Sequence, residues 1–145
     1  MAEEPNAHRR IALTVSSVSG HDRIRRRTQA DLYYRNGRWF VRYEEPSAEM
    51  GRTMTTVRID PRQIRVVRHG DVRSEQTFVR DERHPGYYET AQGRLPLAVR
   101  TRELEAGLSA DGFGTVAWSY DLEVSDEPAG RFRLVLKLEP GPELD

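Results

Sequence analysis

The run RIRRRTQADLYY (residues 23–34) is where this 145-residue sequence comes nearest to chemistry. Ile24, Arg26, Thr28, Ala30, Leu32 and Tyr34 fall two apart, so an extended strand would turn all six to one face. If the strand reaches back to Ile24 without a bulge, Arg26 points inward, near one mouth of the shell it helps to build. An isolated buried charge is very costly, so such a guanidinium needs a partner: an internal carboxylate, or the head group of an anionic ligand. If residues 23–27 form a loop or bulge instead, they make a solvated arginine cluster. The sequence leaves both open.

A second set of polar handles lies in RTMTTVRI, where Thr53 and Thr55 share the phase of Val57 and Ile59. Hydroxyls on an apolar face can satisfy one another, bond to backbone groups, hold water or orient a ligand. With Tyr43, Tyr88, Thr101 and Tyr120 they would scatter polar groups through an apolar interior, which suits a small-molecule pocket. A filled core carries the same residues.

Other chemistries find less support. The four histidines, His8, His21, His69 and His84, show no H-x-H, H-x-x-x-H or H-E-x-x-H spacing, and no metal or other cofactor is expected. Cysteine is absent, which removes disulfides and thiolate chemistry, and no G-x-S-x-G elbow presents a serine. Glu44 and Glu45 are neighbours, so a strand sends them to opposite sides and places them poorly as a carboxylate pair. The GFG at 112–114 lacks the strand–turn–helix setting of a nucleotide loop. No residue set argues for an enzyme.

The elements that must position these residues read as β throughout. Phe132, Leu134, Leu136 and Leu138 alternate with mostly charged residues, and Val116, Trp118, Tyr120, Leu122 and Val124 hold one phase of VAWSYDLEV. Ile11, Leu13 and Val15 repeat the pattern, as do Trp39, Val41 and Tyr43, and Leu95, Leu97 and Val99. A helix would scatter these residues, whereas a half-buried strand aligns them. Asn36-Gly37 is a hairpin signal, because both central residues of a type I′ turn need positive φ. His69-Gly70-Asp71, Asp111-Gly112, Asp60-Pro61 and Glu127–Gly130 mark further connections. Only TRELEAGLS offers a helical alternative, and Pro96 suggests that its strand is an edge or is bulged there. The spacing predicts eight to ten strands in one antiparallel barrel or sandwich, with an ordered core at about 9–139 and frayed tails at about 1–8 and 140–145.

Composition sets the bounds. With 37% apolar and 32% charged residues, and no run near the ~18 apolar residues of a membrane helix, the chain reads as soluble, with no membrane partner. MAEEPNAHRR lacks the apolar stretch of a secretory signal, which together with the missing cysteines points to the cytoplasm. Net charge is zero, which argues against duplex nucleic acid, although residues 1–80 carry 16 Arg against 10 acids and residues 81–145 carry 7 bases against 13 acids. Phe40 beside Arg38 and Arg42, and Tyr33 near Arg25, Arg27 and Arg35, give a faint version of an RNA-binding sheet.

An ordered set of landmarks runs along most of the chain. Tyr34, Tyr43–Glu45, Gly51 with Thr55, Arg68-x-Gly70 and Phe78 lead to Tyr88, Thr90, Gly93, Leu95, Thr101 and Tyr120. In this set the sequence resembles the YwiB-like family of uncharacterised bacterial proteins over about residues 11–138. The resemblance implies an up-and-down, calycin-like or lipocalin-like β-barrel in a cytoplasmic bacterial protein, and no particular activity, since a shared fold cannot supply a ligand. The functional expectation is a non-catalytic barrel holding a small anionic or amphipathic ligand in its lumen, lined or gated by Arg26, Tyr43, Thr53, Thr55, Tyr88 and Tyr120. The alternative is a packed barrel that meets protein or RNA through an outer arginine-rich surface. Either would act as a monomer or homodimer.

Overall fold

A computed structural model describes residues 8–141, so the expected tails lie largely outside the described residues. Ten strands follow one another: β1 (Arg9–Ser19), β2 (Asp22–Arg35), β3 (Arg38–Glu44), β4 (Thr53–Ile59), β5 (Gln63–Gly70), β6 (Arg73–Val79), β7 (Arg83–Thr90), β8 (Gly93–Leu108), β9 (Gly114–Val124) and β10 (Glu127–Pro140). Each pairs antiparallel with the next, and β10 returns to β1 along a ladder from Ile11–Pro140 to Val18–Arg133. The sheet is a closed barrel, and closure removes its edges. Among the described residues no helix is long and apolar enough to cross a membrane.

The connections after odd-numbered strands lie at one end, here the mouth, and those after even-numbered strands at the other, the base. The base half is packed solid. Leu13, Leu32, Val41, Ile64, Val116 and Leu138 are all fully buried there. Above them Phe78 lies against Trp118 and Tyr120, with ring centroids 5.5 and 4.8 Å away, and Tyr120 stacks on Phe132 at 5.6 Å. The β8–β9 loop seals the base. Gly112 enters it at φ +89°, so close to the core that a Cβ would lie 2.8 Å from the Trp39 ring and 2.9 Å from Leu32. Beside it the Arg9 guanidinium covers the Phe113 ring at 4.7 Å and donates to the Asp111 carbonyl.

Three local expectations need correction. All of TRELEAGLS but its final Ser109 is strand, part of β8, and the register shifts between Thr101 and Glu103. That bulge puts Thr101 and Leu104 on the same inner face, and their three-residue spacing is what imitated a helix. Pro96 is on neither an edge nor a bulge. In an antiparallel strand a residue's N–H and C=O point the same way, and the Pro96 carbonyl accepts from the Ser125 N–H, in the turn after β9. The missing N–H therefore faces that turn, where the β9 ladder has ended. Finally, the β9–β10 turn is Ser125-Asp126, at φ 51° and 68°, while Glu127–Gly130 is already in β10, with a register shift between Pro128 and Arg131. Asn36 and Gly37, at φ 54° and 78°, form the β2–β3 turn as the sequence indicates.

One wall is thin. β6 pairs with β7 only from Arg73–Glu89 to Glu75–Tyr87. Beyond that the chain after β6 crosses to β8: Asp81 N–H donates to the Thr101 carbonyl at 2.8 Å, and Arg80 reaches the Leu104 carbonyl at 3.2 Å.

Gly112→Ala should lower stability by about 2–3 kcal/mol, combining a positive φ with overpacking against Trp39. Gly20→Ala, at φ +61° with open space around it, should cost only about 1 kcal/mol. Urea midpoints compare the two, and equal losses would show that the base loop is not clamped on the core.

Candidate functional site

The mouth half of the barrel is hollow. A cavity of about 610 Å³ opens there, walled by every strand except β4, with Tyr120 and Phe132 among its lining side chains. The β3–β4 connection lies across part of the opening. It runs from Glu45 through a single 3₁₀ turn, Ala48–Met50, and puts Glu49 and Met50 against the cavity. Asp71 ties it down: its carboxylate accepts from the Arg52 N–H at 3.0 Å, and its own N–H donates to the Arg52 carbonyl at 3.0 Å. Ile24 and Leu95, 52% and 47% exposed, stand on the rim.

The sequence-derived residues fall into three groups. Arg26, Tyr43, Tyr88 and Tyr120 line the cavity. The β1–β2 ladder runs unbroken from Arg9–Leu32 to Ser19–Asp22 and sets Arg26 opposite Val15, so residues 23–27 are neither loop nor bulge. Arg26 is exposed at the mouth, and among the described residues its guanidinium has no ion-pair or hydrogen-bond partner. Tyr88 directs its hydroxyl to the Met50 sulfur at 4.0 Å. Thr55 lies one layer back, buried, and donates to the Glu45 carboxylate that faces the cavity. Thr53 is a correction. It is buried, but its hydroxyl is spent on backbone, donating to the Met50 carbonyl at 2.6 Å and accepting from the Val72 N–H at 3.1 Å. It anchors the β3–β4 connection and is not among the cavity-lining residues.

Sequence reasoning missed the central pair. Arg68 Nε lies 3.3 Å from Glu45 Oε2, with side chains 17% and 10% exposed, and Arg68 Nη1 donates to Ser74 Oγ at 3.4 Å. The signal was present. Glu45 continues the inward phase of Val41 and Tyr43, and Arg68 continues that of Ile64 and Val66. The rule that separated Glu44 from Glu45 also said that one of them must face the interior.

A charge pair this little exposed is held by what satisfies it. Glu45 accepts from Thr55 and Arg68, and Arg68 also donates to Ser74, so both charges find partners inside the barrel. Burial, then the neighbouring Glu45 carboxylate, push the Tyr43 phenol upward, with Arg68 pulling the other way. Burial pushes Tyr120 up to about 12. Chemically this is an internal carboxylate–guanidinium pair beside the phenols of Tyr43 and Tyr120, whose ionisation is held off by burial, with the Arg26 guanidinium and the Glu49 carboxylate also lining the cavity.

Removing one partner should be worse than removing both. Glu45→Ala should cost about 3 kcal/mol by leaving Arg68 uncompensated, while Glu45→Leu with Arg68→Met should recover most of the loss. Denaturant midpoints of the three variants check this, and additive losses would mean that the pair is solvated. The buried phenols give an alkaline limit. Their contribution is complete below the ordinary tyrosine value of 10.0 and is lost as pH climbs towards about 12 for Tyr120. In an absorbance titration of tyrosinate, Tyr43→Phe and Tyr120→Phe should each remove amplitude from the last phase to ionise; loss from the first phase would place those rings in water.

Comparison with known proteins bears on the barrel as a whole. A family model described as a domain of unknown function, DUF1934, matches residues 10–136. The uncharacterized beta-barrel protein YwiB of Bacillus subtilis (strain 168) is 27% identical over 135 residues, covering 90% of this chain and 94% of that protein. The crystal structure of the ywiB protein from Bacillus subtilis superposes with a TM-score of 0.82 at 23% identity, over 97% of this chain and 100% of the other, which supports the fold. With a match that reaches from β1 to β10, this chain belongs to the DUF1934 family, a domain of unknown function, and is a β-barrel like its relative YwiB.

Proposed function

We propose that the protein is a non-catalytic binder of a small amphipathic anion, held in the mouth half of the barrel. One observation carries the reading: a cavity of about 610 Å³, apolar over much of its wall, has at its opening an arginine with no partner among the described residues. The volume falls in the range of small-molecule pockets, roughly 300–1,000 Å³. A lone guanidinium beside apolar surface favours a carboxylate or phosphate, whose tail can leave water as the head is paired. Glu45 is engaged by Thr55 and Arg68, so binding rather than proton transfer is the role it supports. The closed ten-stranded barrel is in keeping with a calycin-like carrier, which we place in the bacterial cytoplasm.

A second reading rests on the outer surface. Tyr33 and Phe40 stack at 5.1 Å with planes 4° apart, the Arg35 guanidinium lies 5.9 Å from the Tyr33 ring, and Arg23, Arg25 and Arg27 have no partners among the described residues. These could meet RNA or an acidic protein. That reading has no use for the cavity, which is why it comes second.

Native mass spectrometry of freshly purified protein, set against the denatured chain, tests the proposal. Extra mass that disappears on denaturation is expected in the wild type and not in Leu97→Trp, which fills the apolar wall. Arg26→Glu should weaken rebinding of the extracted molecule by about tenfold or more. A bare mass, together with salt-sensitive retention on RNA, would favour the outer surface instead.

A further inference from the structure

Resting on that reading, we infer that the occupant is amphipathic by face rather than by end: a compact acid with polar groups along one side and hydrocarbon along the other. The cavity wall is divided along the barrel axis. Ser17 on β1, Arg26 on β2, Glu45 and Glu49 after β3, Arg68 on β5 and Gln76 on β6 put its charged and amide or hydroxyl groups on the side from β1 to β6, where β4 contributes nothing and Val15 and Ile24 stand among them. The opposite wall, β8 to β10, contributes Leu95, Leu97, Leu122, Val124 and Leu134, with the rings of Tyr120 and Phe132. No charged residue from β8, β9 or β10 lines the space.

The unsatisfied groups are spread out rather than gathered. Arg26 and Ser17 sit on adjacent strands, and among the described residues neither side chain has a hydrogen-bond partner. Gln76 lies four strands away from Arg26, half-buried, with its amide also unpartnered. Between them Glu45 and Arg68 satisfy each other. A fatty acid has one polar end. It could pair with Arg26, but its chain would then leave Gln76 bare or lie along the charged pair, and partly buried polar groups left bare are costly. A rigid acid with hydroxyls on one face meets the whole polar wall and turns its other face to the leucines.

Calorimetric titration with cholate and with dodecanoate, one a facial and the other a head-to-tail amphipath, tests the inference. Cholate should bind about tenfold more tightly, the worth of roughly one extra well-placed hydrogen bond. Gln76→Leu should narrow the gap to about twofold, and Ser17→Val should narrow it in the same direction if the first variant folds poorly. Dodecanoate binding as tightly as cholate, and lost in Leu97→Trp, would overturn the facial arrangement and leave the cavity reading standing. If neither probe bound at about 1 mM, both would fall.

Discussion

Closure of the sheet through the β1–β10 ladder is the constraint from which the rest follows. In an open sheet a misplaced charge can escape by a register slip or by fraying an edge strand. Here every strand has two partners, so each residue's side is fixed by parity. Most polar residues that fall in the inner phase are resolved there, the Thr101 hydroxyl and the Trp118 indole N–H being buried with no partner among the described residues. Thr53 resolves by bonding to backbone, Glu45 and Arg68 resolve each other, and Arg26 resolves by standing at the rim.

The same constraint divides the interior into two halves with different tasks. The base is filled by fully buried aliphatic side chains and by the group of Phe78, Trp118 and Tyr120. That packing can hold the barrel together, which leaves the mouth free to stay open. Ten strands make this possible: a barrel's width grows with strand number, and the added girth exceeds what these side chains fill at the mouth. The cavity is thus a product of geometry and residue size together.

Much of this was legible in the residues. Alternation in RFRLVLKLE and VAWSYDLEV gave strands, and Asn36-Gly37 gave its turn, because both signals are local and physical. Arg26 could be placed on the inner phase but not assigned, since one extra residue anywhere in 23–27 would have reversed it. The bulge at Thr101–Glu103 shows how real that hazard is: one inserted residue there made a strand resemble a helix. Glu45 and Arg68 are 23 positions apart in sequence, and their meeting depends on the register of β3, β4 and β5, which no local pattern carries. Whether the lumen is empty was likewise out of reach, because it depends on how the volumes of distant side chains sum within one ring.

The thin wall between β6 and β7 has a mechanical meaning. A closed sheet resists widening as a hoop does, through the series of ladders around its circumference, and the weakest ladder sets the yield. Every other junction is bridged over at least five paired positions, but this one is bridged over three, from Arg73–Glu89 to Glu75–Tyr87. Tyr88 sits within that short ladder and Gln76 immediately beyond it, both against the cavity. Any widening of the mouth therefore concentrates at this seam, so the barrel gives way first beside its cavity, while the packed base keeps its girth.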